Sequence, residues 1–240
     1  TLPKVLQITW SKFDFTKSEP DTVWMIGDID MIPLHKEYFT SNIGSAPEDA
    51  YLHLNYSAIS VVRRGILDGF MKEGPAVLRR IRHGCHDSGA DLPAHYHISK
   101  GSNFNKVYEL DRSFNEQISH IVDSGIYGHG AHCQPPWPKP SQDELMNFES
   151  FYWLAEENYS SVMLYNACVA NTIQFIGYHY DNRVNRIDRS VWSEEKNDYV
   201  YDINLLKQKQ IVDLHCHRPF DEQKDQMYRI IDESEIFSSE

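Results

Sequence analysis

Two aspartates lie two positions apart in the segment Ile26-Gly-Asp-Ile-Asp-Met-Ile-Pro33. The apolar run Val23–Ile26 before them predicts a buried strand of a parallel sheet. On a regular strand Asp28 and Asp30 would point to one side and Ile29 to the other. Two carboxylates at the carboxyl edge of a sheet suit Mg²⁺ or Mn²⁺, and such an ion can also hold a diphosphate. Acidic pairs are also common in solvated turns, so the pattern by itself leaves a turn open.

The elements that must position these acids are short strands and helices in mixed order. Apolar patterns predict strands over 51–56 and 94–98 and helices over 36–39, 76–83, 104–110 and 113–124. Ser141 followed by Glu144 forms a capping box, which predicts a helix over 142–158, and a charged amphipathic helix follows Phe220. No stretch has the composition of a linker. We therefore expect one α/β domain over residues 1–240.

Composition excludes several classes of function. The 240 residues carry a formal net charge of −12, which argues against a broad nucleic-acid-binding face. No run of apolar residues is long enough to cross a membrane. The four cysteines are far apart and form no CxxC pair, so reduced thiols and a cytoplasmic location are the expectation, although a luminal fragment would look the same.

The segment 27–34 resembles the DxD segment of GT-A-fold glycosyltransferases, and especially the small glycosyltransferase domains of large algal viruses. Further segments agree with that family in order along the chain, over roughly residues 20 to 232. They are 92–102, the pair Asp143-Glu144, 185–189 and 213–220. The resemblance implies a Rossmann-like, mixed but mainly parallel sheet flanked by helices. It also implies transfer of a sugar from a UDP- or GDP-linked donor to a glycan, glycoprotein or other hydroxyl acceptor.

The resemblance also implies roles for individual residues. Asp30 would be the main ligand of Mn²⁺ (or Mg²⁺), Asp28 would touch the metal or the ribose, and His215 would be a late histidine ligand, with His217 as the alternative. Lys100, Gly101 and Arg218 would contact the donor, although either basic side chain could equally be a surface charge. Asp143 would be the catalytic base of an inverting reaction, with Glu144 as second choice, unless both only begin a helix.

One departure from the family concerns the region before the DxD segment. Only 27 residues precede Asp28, whereas the family grips its nucleotide mainly with βα units upstream of that point. We therefore expect an N-terminally incomplete GT-A fold or a different grip on the nucleotide. Two alternatives stay open, a nucleotidyltransferase and a non-catalytic carbohydrate-binding module of the same fold.

Overall fold

The structure is a computed structural model that describes residues 2, 4–41, 43–44, 46–55, 96–124, 159–160, 163–164, 166–168, 170–179 and 185–237. The chain divides into two compact units. The described residues of unit 1 fall within Thr1–Ile26, Pro47–Leu54 and Val61–Gly177, and those of unit 2 within Gly27–Ala46, Asn55–Ser60 and Tyr178–Glu240. The assignment of all 240 residues to a single domain stays a prediction.

The described elements alternate between helix and strand along the chain. The helices are α1 (Lys4–Asp14), α2 (Lys36–Thr40), α3 (Gly101–Tyr108), α4 (Phe114–Ser124), α5 (Ile203–Lys207) and α6 (Phe220–Ser234), with 3₁₀ turns at Phe15–Ser18 and Arg189–Val191. The strands are β1 (Val23–Ile26), β2 (Met31–Pro33), β3 (Ala50–Asn55), β4 (Tyr96–Lys100), β5 (Gln174–His179), β6 (Asn185–Ile187), β7 (Trp192–Ser193), β8 (Asp198–Tyr199) and β9 (Ile211–His215).

Unit 1 is built on a four-stranded sheet with the order β1-β4-β3-β5. Strand β4 pairs antiparallel with β1 on one side and with β3 on the other. Helix α1 buries Leu6, Trp10 and Phe13, which recur at helical spacing and so form one apolar face. These side chains join buried residues of α3 and α4 in a single aromatic-rich core.

Strand β1 differs from the sequence-based expectation. It lies at the edge of the described sheet rather than inside a parallel one, and Val23 and Met25 are 41 % and 40 % exposed. A short apolar run reports a preference for extended backbone and burial, but it does not specify how many neighbours the strand has. The prediction that Val23–Ile26 lies inside a parallel sheet is therefore wrong, and among the described pairings with a known register only β6 with β9 is parallel.

Unit 2 contains a three-stranded sheet in which β9 is central. Strand β2 pairs antiparallel with β9 on one side, and β6 pairs parallel with it on the other. Helix α6 buries Met227 and Ile230 in the core of this unit, together with Leu214 of β9. The amphipathic helix predicted after Phe220 is thus confirmed.

The secondary structure is mixed α/β, as predicted at that coarse level. Helices expected at 36–39, 104–110 and 113–124 are observed as α2, α3 and α4, with ends shifted by a few residues. The helices predicted over 76–83 and 142–158 lie outside the described residues. Of the helices that are described, none combines the length and apolar character needed to cross a membrane.

Candidate functional site

The two aspartates of the DxD segment lie in a tight turn at the start of unit 2. The backbone N–H of Met31 donates to the carbonyl of Asp28 at 3.1 Å, which closes a four-residue turn. Ile29 at its tip is 98 % exposed, whereas Asp30 is buried and Asp28 is half-buried. The expected strand geometry, with both carboxylates on one face, is therefore wrong, because regular extended structure ends at Ile26 and resumes at Met31.

Strand pairing brings Asp30 to His215. Met31 of β2 lies opposite His215, the last residue of β9, and the Cys216 N–H donates to the Asp30 carbonyl at 2.7 Å. As a result, the Asp30 Oδ2 lies 3.5 Å from the His215 Nε2. Two residues separated by most of the chain thus meet at the end of one strand.

A second carboxylate approaches His215 from the opposite strand. Ile187 of β6 pairs with Leu214, so the next residue, Asp188, lies beside His215. The Asp188 Oδ2 is 3.1 Å from the His215 Nδ1. Asp188 is not among the site residues predicted from the sequence. The only signal for it was its position in the segment 185–189, directly after the apolar Ile187.

Arginine side chains lie close to Asp30 and Asp188. Arg218 donates a hydrogen bond to the Asp30 Oδ2, and the Arg189 guanidinium is 3.9 Å from the same oxygen. Both arginine side chains are about half exposed. Arg186, with its side chain only 9 % exposed, lies 3.7 Å from Asp188 and 3.7 Å from the fully buried Asp213. Of these three arginines, the sequence pointed only to Arg218.

The electrostatics of the site follow from this packing. Burial alone would raise the pKa of Asp30, but hydrogen bonds from His215 and Arg218 outweigh it and hold that pKa well below its ordinary range. The hydrogen bond from His215 likewise holds the pKa of Asp188 far below normal. For His215, burial lowers the pKa, but hydrogen bonds to Asp188 and Asp30 raise it above the ordinary 6.5. A histidine flanked by two carboxylates is therefore the centre of the site.

His217, the alternative metal ligand, has different surroundings. Its ring stacks on Trp192 with centroids 4.9 Å apart and an interplanar angle of 18°. Its backbone N–H donates to the Tyr199 hydroxyl at 2.6 Å. The structure therefore places His215 next to Asp30, and it places His217 in an aromatic cluster of unit 2.

Two residues predicted to contact the nucleotide-sugar donor, Lys100 and Gly101, lie in unit 1. Lys100 at the end of β4 forms a salt bridge with Glu48. Gly101 begins α3, and a Cβ on it would lie 2.5 Å from the carbonyl oxygens of Thr16 and Glu19. Both residues thus have local structural partners, and their contact with a donor stays a prediction.

The remaining predicted site residues are Asp28, Asp143 and Glu144. Asp143 and Glu144 lie outside the described residues. Asp28 belongs to the same turn as Asp30. Within the described part of the chain, no group of three or more His, Cys, Asp or Glu side chains gathers in a way that could hold a metal ion.

The pair Asp30 and His215 can nevertheless be tested as partial metal ligands. Atoms bound to one ion at about 2.0–2.2 Å and at right angles to each other are about 3 Å apart. The 3.5 Å between Oδ2 and Nε2 is compatible with both atoms binding the same ion. A mixed oxygen and nitrogen donor set suits Mn²⁺, and such ions commonly take their other ligands from substrate phosphates and water.

Comparison with known proteins identifies no relative: no protein-family model, no curated protein and no solved structure matches the chain. The glycosyltransferase family suggested by the sequence therefore stays a proposal.

Proposed function

We propose that this protein is a metal-dependent glycosyltransferase that uses a nucleotide-sugar donor. The observation that carries the proposal is the approach of the Asp30 Oδ2 and the His215 Nε2 to 3.5 Å at the end of β9. The resemblance to GT-A-fold glycosyltransferases implies that both residues bind one ion, although 184 residues stand between them in the chain. A bound Mn²⁺ would act as a Lewis acid that neutralises charge developing on the leaving nucleoside diphosphate.

The arginines next to Asp30 support an anionic ligand. Arg189 and Arg218 present half-exposed guanidinium groups within 4 Å of the Asp30 carboxylate. Guanidinium groups match phosphate oxygens with two parallel hydrogen bonds. A divalent ion at Asp30 would compete with Arg218 for the carboxylate and leave that guanidinium available to a phosphate. Two half-exposed guanidinium groups on a chain with a net charge of −12 suit a small anion better than a polyanion.

The residues proposed to activate the acceptor hydroxyl are ones that the structure does not describe. If the transfer inverts the sugar carbon, a carboxylate must accept the proton of the acceptor hydroxyl. Asp143 remains the proposed base, with Glu144 as second choice. The acceptor class, a glycan, glycoprotein or other hydroxyl compound, likewise rests on the resemblance.

The experiment that tests the proposal is calorimetric titration of UDP and GDP into the protein with and without Mn²⁺. We expect nucleotide affinity to rise with Mn²⁺, and a panel of nucleotide sugars should identify a donor from which nucleoside diphosphate is released. In Asp30→Asn the metal-dependent part of the affinity should fall by roughly 100-fold or more, because losing a ligand costs at least as much as losing an outer partner.

A matched control is Asp225→Asn, which makes the same charge change at an exposed position of α6. It should bind as the wild type does. Nucleotide affinity that is indifferent to Mn²⁺ in the wild type would contradict the metal assignment. Binding of glycans without any nucleotide would favour the carbohydrate-binding module, and release of pyrophosphate from a nucleoside triphosphate would favour the nucleotidyltransferase.

A further inference from the structure

The His215 ring is held at both of its nitrogens. Its Nδ1 lies 3.1 Å from the Asp188 Oδ2, and its Nε2 lies 3.5 Å from the Asp30 Oδ2. A neutral imidazole has one N–H donor and one lone pair, so only one of the two carboxylates can accept from it. Which nitrogen carries the proton therefore decides what His215 offers to the site at Asp30.

Asp188 is itself firmly oriented. Its Oδ1 accepts from the Ser190 N–H at 2.9 Å, which caps the 3₁₀ turn Arg189–Val191. The Arg186 Nε lies 3.7 Å from the other oxygen, Oδ2, and the Arg186 side chain is buried. With Oδ1 engaged by the backbone, Oδ2 is the oxygen presented to His215.

We propose that Asp188 is a positioning residue that keeps the proton of neutral His215 on Nδ1 and so directs the Nε2 lone pair towards Asp30. The shorter of the two distances is on the Asp188 side, and the Ser190 N–H fixes the orientation of that carboxylate, which favours a hydrogen bond from Nδ1. A carboxylate behind a histidine also makes the opposite nitrogen a more basic ligand. The value of this arrangement for metal binding rests on the proposed function, whereas the proton position does not.

For the variant Asp188→Asn, this proposal predicts a change in which nitrogen of neutral His215 carries the proton. The Asn oxygen is needed by the Ser190 N–H, so the amide NH₂ would face His215. An NH₂ group can only donate, and the His215 Nδ1 would then have to accept. Neutral His215 should therefore change to the form protonated at Nε2, whose N–H points to Asp30 and offers no lone pair to a metal.

A matched control is Asp202→Asn. Asp202 caps α5 in the same way, because its side chain accepts from the Asn204 N–H at 2.8 Å, and its described contacts include no histidine. It shares the loss of charge and the change of cap with Asp188→Asn. It should leave His215 and the metal affinity unchanged.

The experiment is ¹⁵N NMR of the imidazole nitrogens in the full chain without metal, with the pH raised until the His215 shifts no longer change, so that the neutral ring is observed. We expect Nδ1–H in the wild type and in Asp202→Asn, and Nε2–H in Asp188→Asn. Mn²⁺ titration of the same three proteins should show a loss of about 10- to 100-fold in Asp188→Asn only.

The outcomes separate this inference from the proposed function. A wild type that binds no Mn²⁺ but holds the proton on Nδ1 would refute the metal role and support the positioning role. A wild type with the proton on Nε2 would overturn the inference whatever the metal does, and this decides the matter even if Asp188→Asn fails to fold. Unchanged tautomer and unchanged Mn²⁺ affinity in a folded Asp188→Asn would overturn it as well.

Discussion

His215 joins two carboxylates that would be costly to leave without partners. Asp30 is buried, its Oδ2 accepts a hydrogen bond from Arg218, and the same oxygen lies 3.5 Å from the His215 Nε2. Removing one member of such a group leaves the others uncompensated, so its members should behave as a unit in mutagenesis. At the scale of single residues, we therefore expect the stability of the fold to depend on pH and on substitution at this site.

The first prediction at this scale is the pH dependence of stability contributed by His215. Its pKa in the folded chain is raised, so its stabilising contribution is complete below the ordinary 6.5 and is lost as the pH rises through the folded value. Replacement by Gln should cost on the order of 1–3 kcal/mol at about pH 6 and less at about pH 9. Chemical denaturation of wild type and His215→Gln across this range measures the difference.

His35, in the same unit, provides a control because its pKa is shifted in the opposite direction. Burial lowers the pKa of His35 despite the nearby Glu37, so neutral His35 is the form that the fold prefers. The unfolding free energy of the wild type relative to His35→Gln should therefore increase as the pH rises through about 6.5. The same pH trend in both variants would contradict the assignment of His215 to the carboxylate pair.

At the scale of elements, the junction of β4 and α3 depends on a glycine. The Gly101 N–H donates to the Thr22 carbonyl at 3.0 Å, and the neighbouring Ser102 N–H donates to the Pro20 carbonyl at 2.8 Å. These bonds draw the start of α3 against the backbone that follows α1. A side chain at position 101 would meet carbonyl oxygens at 2.5 Å, and backbone atoms held by hydrogen bonds cannot move away easily.

We predict that Gly101→Ala lowers the free energy of unfolding by about 1–3 kcal/mol, as overpacking of a well-packed site does. Urea denaturation measures this loss. Gly44→Ala is the matched control, because a Cβ there meets nothing within 4 Å. That variant should be neutral or slightly stabilising, since alanine restricts the unfolded chain. A stability of Gly101→Ala equal to that of wild type would show that the junction can open.

At the scale of the whole molecule, net charge limits the class of partner. A chain with 35 acidic and 23 basic residues repels polyanions, and the arginines next to Asp30 are themselves paired with its carboxylate. We predict no binding of labelled single- or double-stranded nucleic acid at about 150 mM salt, with any dissociation constant weaker than about 100 μM. Fluorescence anisotropy checks this, and salt-sensitive binding at micromolar concentration would contradict it.

Much of the local structure could be predicted from sequence patterns. Helices α2, α4 and α6 follow from apolar spacing, because each helix needs only one apolar face and a start signal that lies within a few residues. Asp30 could be chosen as a candidate site residue from its place in the DxD segment, whereas His215 was implied only by the resemblance to a known family. These predictions depend on nearby residues, and the chain carries that information in order.

The arrangement of the strands and the residues that meet at His215 depended on which strands pair. The apolar run at β1 predicts extended structure, but its position at a sheet edge and its antiparallel partner are set by β4, which is more than 70 residues away. The approach of Asp188 and Asp30 to the two sides of His215 follows from the central place of β9 between β6 and β2. Residue types along the chain thus determined which groups could do chemistry. Only the tertiary structure decided which of them meet, because strand register brings together residues that no local pattern connects.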